Sequence, residues 1–107
     1  VIDLESRRPA LGNGGGGLSG PAIHAVSVRA VFECAARLPG VPLIGVGGIS
    51  TGADAIEMIM AGASAVQVGT ASLAEPRAPW RVEREMARWM RDHGVETIEQ
   101  LRGTAHG

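Results

Sequence analysis

Two tandem units, in which an apolar run ends in glycine and passes straight into helix-forming sequence, constrain this chain more than any other feature. The first is Pro42-Leu-Ile-Gly-Val-Gly-Gly-Ile-Ser50 and the second is Ala65-Val-Gln-Val-Gly-Thr70. The continuous apolar run over residues 41–46, bounded by Pro and Gly, fits a strand buried on both faces of a parallel sheet. Glycine lets the backbone approach a phosphate, and the start of the next helix supplies free N–H groups and a positive dipole end. Barrels build phosphate clamps in this way after their last two strands.

The units belong to an alternating order. Residues 1–4 read as a short strand, 6–9 as a turn, Ala10-Leu11 as a returning strand and 12–17 as a glycine-rich loop. Residues 1–18 thus form a hairpin and loop, and 19–107 a helix followed by two βα units. Helix signals begin at Ser19-Gly20-Pro21, where Ser or Gly can cap and Pro suits the first helical position. Ile23, Val26, Ala30, Val31, Cys34 and Leu38 then fall on one face, and Pro39-Gly40 ends the helix. Thr51-Gly-Ala-Asp54 has the form of a capping box. Ile56, Ile59, Met60 and Ala63 give the buried face of the next helix, with Gly62 as its C-cap. After a loop over residues 76–79, a helix from about Trp80 to His93 turns Val82, Met86, Trp89 and Met90 inward, and Gly94 stops it. Thr97, with Gln100 three residues on, can cap a last short helix. Such alternation implies right-handed βαβ units, with strands 42–46 and 65–68 parallel neighbours and the helices on one side. Two parallel strands cannot close a barrel, and there is no initiator Met, so the expectation is a piece of a larger α/β domain.

Composition narrows the function classes. Glycine is 16 of 107 residues, against a usual share of about 7%, and it clusters at 12–20 and 45–48, which marks sites rather than disorder. Apolar residues make up 45%, enough for a globular core. A net charge of −1 and 3% aromatics argue against nucleic acid. The single Cys34 makes no internal disulfide and fits a reducing cytoplasm. No apolar run reaches the ~18 residues of a membrane helix, and the N-terminus lacks a signal-peptide core.

The candidate site is a set of glycines. Gly20 precedes a helix, and Gly47-Gly48 and Gly69-Thr70 follow strands. A single one of these is equally well explained by a tight turn, but three in this order can converge on one phosphate. A Cβ at Gly48 or Gly69 is expected to keep backbone N–H groups from it. Cys34 reads as a buried, inert thiol on the apolar helix face. His24, in a first helical turn, reads as a surface side chain that could approach a ligand; His93 reads as a partner of a helix C-terminus, and His106 as part of a frayed tail. The three histidines are too scattered for a metal site. Glu57, Glu83 and Glu85 read as surface charges, and Arg81, Arg84, Arg88 and Arg91 as a solvated, ion-paired face. Trp80 and Trp89 read as packing residues. No residue stands out as a general base, nucleophile or metal ligand.

Taken together, Ile2-Asp-Leu-Glu-Ser-Arg-Arg-Pro-Ala-Leu, Gly16-Gly-Leu-Ser-Gly-Pro-Ala-Ile23, Ile44-Gly-Val-Gly-Gly-Ile-Ser50 and Ala61-Gly-Ala-Ser-Ala-Val-Gln-Val-Gly-Thr70 resemble the dihydroorotate dehydrogenases. The match covers essentially the whole chain and is best to the cytoplasmic class 1B catalytic subunit. The resemblance implies a (β/α)8 TIM barrel of which this is the C-terminal portion, the last helix of unit 6 plus βα units 7 and 8. It implies flavin mononucleotide (FMN) as cofactor, held by Gly20, Gly47, Gly48, Gly69 and Thr70, and oxidation of dihydroorotate to orotate in pyrimidine synthesis. For class 1B it also implies an electron-transfer subunit with FAD and an iron–sulfur cluster. His24-Ala25 stands where the family usually has Lys-Pro, and the glycines at 14–17 exceed the family's usual number. The family's base, its flavin-contacting Lys and its orotate-binding Asn residues come from earlier strands. No catalytic residue is therefore assigned here, and the chain alone is expected to be inactive and to associate through its uncovered edges. The flavin barrel of dihydropyrimidine dehydrogenase and a non-catalytic phosphate-binding half-barrel are the competing readings.

Overall fold

The computed structural model describes residues 1–107 as a mixed α/β structure. Strands β1 (Ile2–Asp3) and β2 (Arg8–Pro9) pair antiparallel, with Ile2 opposite Pro9. The returning strand is thus Arg8–Pro9 and not Ala10-Leu11. The chain reverses within residues 4–7 by placing Arg7 at φ 57°, an earlier and tighter turn than residue types suggest. A 3-10 turn at Pro21–Ile23 leads into α1 (His24–Arg37). There follow β3 (Ile44–Val46), α2 (Gly52–Ala61), β4 (Ala65–Gln67), α3 (Thr70–Ala74) and α4 (Ala78–Asp92), and the chain closes with 3-10 turns at Ile98–Gln100 and Thr104–His106.

The β3 and β4 strands are parallel, with Ile44 opposite Ala65, Gly45 opposite Val66 and Val46 opposite Gln67, the pairing that the alternation of elements leads one to expect. The capping box of α2 is present: Thr51 Oγ1 accepts from the Asp54 N–H at 3.2 Å, and Asp54 Oδ2 accepts from the Thr51 N–H at 3.0 Å. Gly62 closes the helix at φ 125°. Helix α3 is unexpected. It has five residues, too few to show a period, and Pro76 follows just beyond. Helix α4 starts at Ala78, earlier than expected, because Pro79 is accommodated in its first turn.

Helix α2 is the centre of the packing, with α1 on one flank, α4 on the other and the β3–β4 sheet beneath. Met58, Ile59, Ala55 and Ile56 join Val31, Ile49, Val82 and Leu101 in one cluster. Contact with α4 is close enough that a Cβ on Gly52 would run into Glu85 and come within 2.7 Å of the Met86 nitrogen. Gly52→Ala is therefore expected to destabilise by about 1–3 kcal/mol through overpacking, although alanine is the better helix former by about 1 kcal/mol. Urea denaturation checks the sign; a more stable variant would show that the helices part at little cost.

The other side of the sheet is open. Gly45 is buried against Met58, but Ile44 is 58% exposed and Val46 and Leu38 are also exposed. Expected burial of β3 on both faces is thus not found, and neither is burial of the α1 face: Val26 is 72% exposed and the Cys34 thiol is exposed rather than packed. The physical reason is that the helices cover one face of a two-stranded sheet and no layer covers the other. The radius of gyration, 16.4 Å, exceeds the ~13 Å of a compact chain of this length. The apolar 45% is not gathered into a closed core.

Candidate functional site

The carboxyl ends of β3 and β4 and the turn before α1 open onto one cavity of about 490 Å³. Gly20, Gly47, Gly48, Gly69 and Thr70 all line it. Three separate glycine segments therefore meet, held by specific contacts. Thr70 Oγ1 donates to Ser19 Oγ at 2.8 Å, which fixes the glycine-rich loop to the start of α3. Gly47 and Gly48 take φ values of 121° and 69°, which side chains rarely adopt. A Cβ on Gly47 would collide with Ser27, and one on Gly48 would lie 2.7 Å from the backbone of His24. The turn after β3 is thus pressed against α1, so at Gly48 the space denied to a side chain is taken by protein. At Gly69 a Cβ would meet nothing within 4 Å. The backbone N–H groups of Gly48, Gly69, Thr70 and Ala71, all on the cavity wall, meet no acceptor in the protein.

Arg81 brings a cation to the cavity from α4. Its Nη2 donates to the Ser50 carbonyl at 3.0 Å, its Nε to Glu75 at 2.9 Å and its Nη1 to Glu85 at 2.9 Å. Hydrogen bonding to Glu75, with the charges of Glu75 and Glu85, holds the guanidinium above the ordinary arginine value. Sequence reading found its ion pairs but missed its reach into the cavity, for which the only signal was its place in the first turn of a helix following a glycine site.

Asp54 secures the far side of the turn. Burial pushes its carboxyl up, but the N–H groups of Ser50 and Thr51, the Thr51 hydroxyl and the charge of His24 outweigh this and hold it below 3.8. A depressed folded value means that the carboxylate stabilises the fold fully above its unfolded value of about 4, and that this contribution is lost as pH falls through the folded value. Acid titration of stability is expected to show the loss below pH about 4, and Asp54→Asn to flatten that limb. An unchanged acid limb in the variant would count against it.

His24 is not the surface residue expected. Its side chain is 13% exposed, with Nδ1 3.3 Å from the Gly47 carbonyl and Nε2 2.9 Å from Glu57 and 3.7 Å from Asp54. The three side chains bring donor atoms within 4.8 Å of one another, a cluster hidden from a search among histidines because its partners are carboxylates of α2. His106 is not frayed either. Its Nε2 lies 2.8 Å from the Ala61 carbonyl at the end of α2, and its ring stacks on Phe32 at 3.9 Å. His93 contacts the Trp89 carbonyl at 2.8 Å, near the C-terminal end of α4 as expected. Trp80 is 56% exposed under Arg84, with the guanidinium 4.8 Å from the ring, rather than packed. No helix is long and apolar enough to cross a membrane.

A family model described as dihydroorotate dehydrogenase matches residues 1–90. The chain belongs to the dihydroorotate dehydrogenase family. It is 53% identical over 103 residues to the dihydroorotate dehydrogenase B (NAD(+)) catalytic subunit of Citrifermentans bemidjiense, covering 96% of this chain and 33% of that protein. The namesake from Trichlorobacter lovleyi is 50% identical over 107 residues, covering 100% and 35%. A relative from Solibacter usitatus with an A (fumarate) name is 50% identical over 104 residues, covering 97% of this chain and 34% of that protein. The chain thus spans about a third of the length of these curated dihydroorotate dehydrogenases. Among solved structures, the Eimeria tenella enzyme in complex with ferulenol superposes with a TM-score of 0.81 at 35% identity, over 97% of this chain and 28% of that one.

Proposed function

We propose that the cavity holds the phosphate of FMN, and that the chain is the C-terminal portion of a (β/α)8 barrel, the last helix of unit 6 with βα units 7 and 8. The observation that carries the reading is the convergence of Gly20, Gly47, Gly48, Gly69 and Thr70 on one cavity whose wall holds unpaired backbone N–H groups. These donors, with the small side chains around them, fit a phosphate: the backbone can come close and each N–H can make a charge-assisted bond. The open sheet face and the exposed α1 face fit the remaining barrel units as their cover.

In this reading the enzyme oxidises dihydroorotate to orotate. When bound, FMN supplies the acceptor for the hydride that leaves the substrate. This chain's residues bind and orient. Gly48, Gly69 and Thr70 present N–H groups, Ser19 and Thr70 lock two loops together, and Arg81 holds the Ser50 carbonyl in place. The cavity offers no free base, since Glu75 is paired with Arg81. Turnover therefore needs groups from elsewhere in the barrel, and the chain alone is inactive. The relatives' names, each a catalytic subunit of an NAD(+) type, support a partner subunit for the complete enzyme; in this reading that partner carries FAD and an iron–sulfur cluster, and the setting is cytoplasmic.

Gly69→Val tests the site cleanly, because its side chain would enter open space rather than protein. Loss of one or two charge-assisted bonds is expected to weaken FMN roughly tenfold to a hundredfold. Thr70→Val should do less, and Cys34→Ser nothing. Flavin fluorescence titration decides; a Gly69→Val protein that binds like the parent overturns the assignment.

A further inference from the structure

Both ring nitrogens of His24 face atoms that only accept hydrogen bonds. Nδ1 is 3.3 Å from the Gly47 carbonyl oxygen, and Nε2 is 2.9 Å from Glu57 Oε2. A neutral imidazole carries one N–H, so it can satisfy one of these contacts and must set a lone pair against the other. His93 and His106 each have a single such contact, which either neutral form can serve by choosing its tautomer. We propose that His24 is a positioning residue for the phosphate turn and works as a proton-dependent brace: doubly protonated it ties Gly47 to α2, and on losing a proton it releases one of the two ties. Anion binding at the turn is then linked to a proton on His24. This deepens the phosphate-site reading and rests on it.

The surroundings fit the role. The side chain is nearly enclosed, and the first turn of α1 is interlocked with Gly48, whose missing Cβ leaves room for the His24 backbone. The charged groups facing the ring are Glu57 and, at 3.7 Å, Asp54, both from α2. Opposing them is the N-terminal dipole of α1 itself. Arg81 of α4 points to Ser50 and is occupied by Glu75 and Glu85. Asp54 is committed through Oδ2 to Ser50 and Thr51, so the residue that holds the turn's far end also faces the brace. Protonation thus fixes the turn whose Gly47 and Gly48 line the cavity. This favours an anion at low pH and fades as pH rises.

The test uses the chain labelled with nitrogen-15, in parent, His24→Gln and Glu57→Gln forms. Ring and amide signals are read in solution, or by magic-angle spinning if the protein associates. The Gly47 and Gly48 amides are expected to move along the titration curve of the His24 ring in the parent and to stay still in His24→Gln. Amides indifferent to that titration overturn the brace. FMN titrations across the same pH range give a second reading. The affinity ratio of parent to His24→Gln should be about tenfold where His24 is doubly protonated, and approach one where it is not. The flavin phosphate's own titration cancels in this ratio. Glu57→Gln, at an exposed position, should shrink the low-pH advantage; an unchanged advantage opposes the proposal. If FMN binds no form while the amides follow His24, the phosphate reading fails and the brace stands. If FMN binds with a ratio independent of pH, the brace fails and the phosphate reading stands.

Discussion

Gly48→Ala is expected to cost about 2–5 kcal/mol and to take the site with it. Residue 48 sits at φ 69°, which costs a non-glycine residue about 1–2 kcal/mol. Its new Cβ would also lie 2.7 Å from the nitrogen and Cα of His24, and these are backbone atoms of a helix that cannot rotate away. Overpacking of that kind adds about 1–3 kcal/mol. Gly69→Ala is the control: its φ is −103° and its Cβ would meet nothing. That variant should stay within about 0.5 kcal/mol of the parent. The two glycines were expected to be alike, each clearing a path to the phosphate. Chemical denaturation separates them. Equal stability of the two variants would mean that α1 withdraws freely from the turn.

Met58→Ala should be the other large loss, about 2–5 kcal/mol. Its side chain is fully buried, and its Cβ, Cγ and sulfur pack within about 3.2 Å of where a Gly45 side chain would begin. Truncation empties the space between α2 and β3, in a structure with few other buried side chains to collapse into it. Total stabilities of natural domains are only about 5–15 kcal/mol, so this variant is expected to lose its cooperative melt or to melt far below the parent. Trp80→Ala is the contrast. The larger side chain is exposed, and its stack with Arg84 is worth only about 0.5–1 kcal/mol. A Met58→Ala protein as stable as Trp80→Ala would refute the placement of the core.

Much of this was legible because local chemistry and topology agree in the same places. Thr51 and Asp54 capped the helix that their spacing announces, and the glycines ending two apolar runs met where strand–helix alternation must bring them. Met58 escaped notice because a single-face pattern picks Ile56, Ile59, Met60 and Ala63. Helix α2 is covered on two flanks and from beneath, so it buries a second face that periodicity does not reveal. Cys34, Val26 and Ile44 misled in the opposite sense, since an apolar pattern records what a face is built to meet and not what meets it here. His24 and Arg81 were read from their own helices alone. Their partners, Gly47, Glu57 and Ser50, lie 23 to 33 residues away, and no local pattern encodes such contacts.

The claim that the converging glycines form a phosphate site is tested most directly by comparing FMN with riboflavin, which differ only in that group, while following the phosphorus-31 signal of FMN. On titration with the chain, the phosphate resonance should shift or broaden saturably. Riboflavin should bind at least about tenfold more weakly, the equivalent of one charge-assisted hydrogen bond. Gly69→Val should narrow the difference. Equal affinity for the two flavins, with a phosphate signal untouched by the protein, would contradict the account.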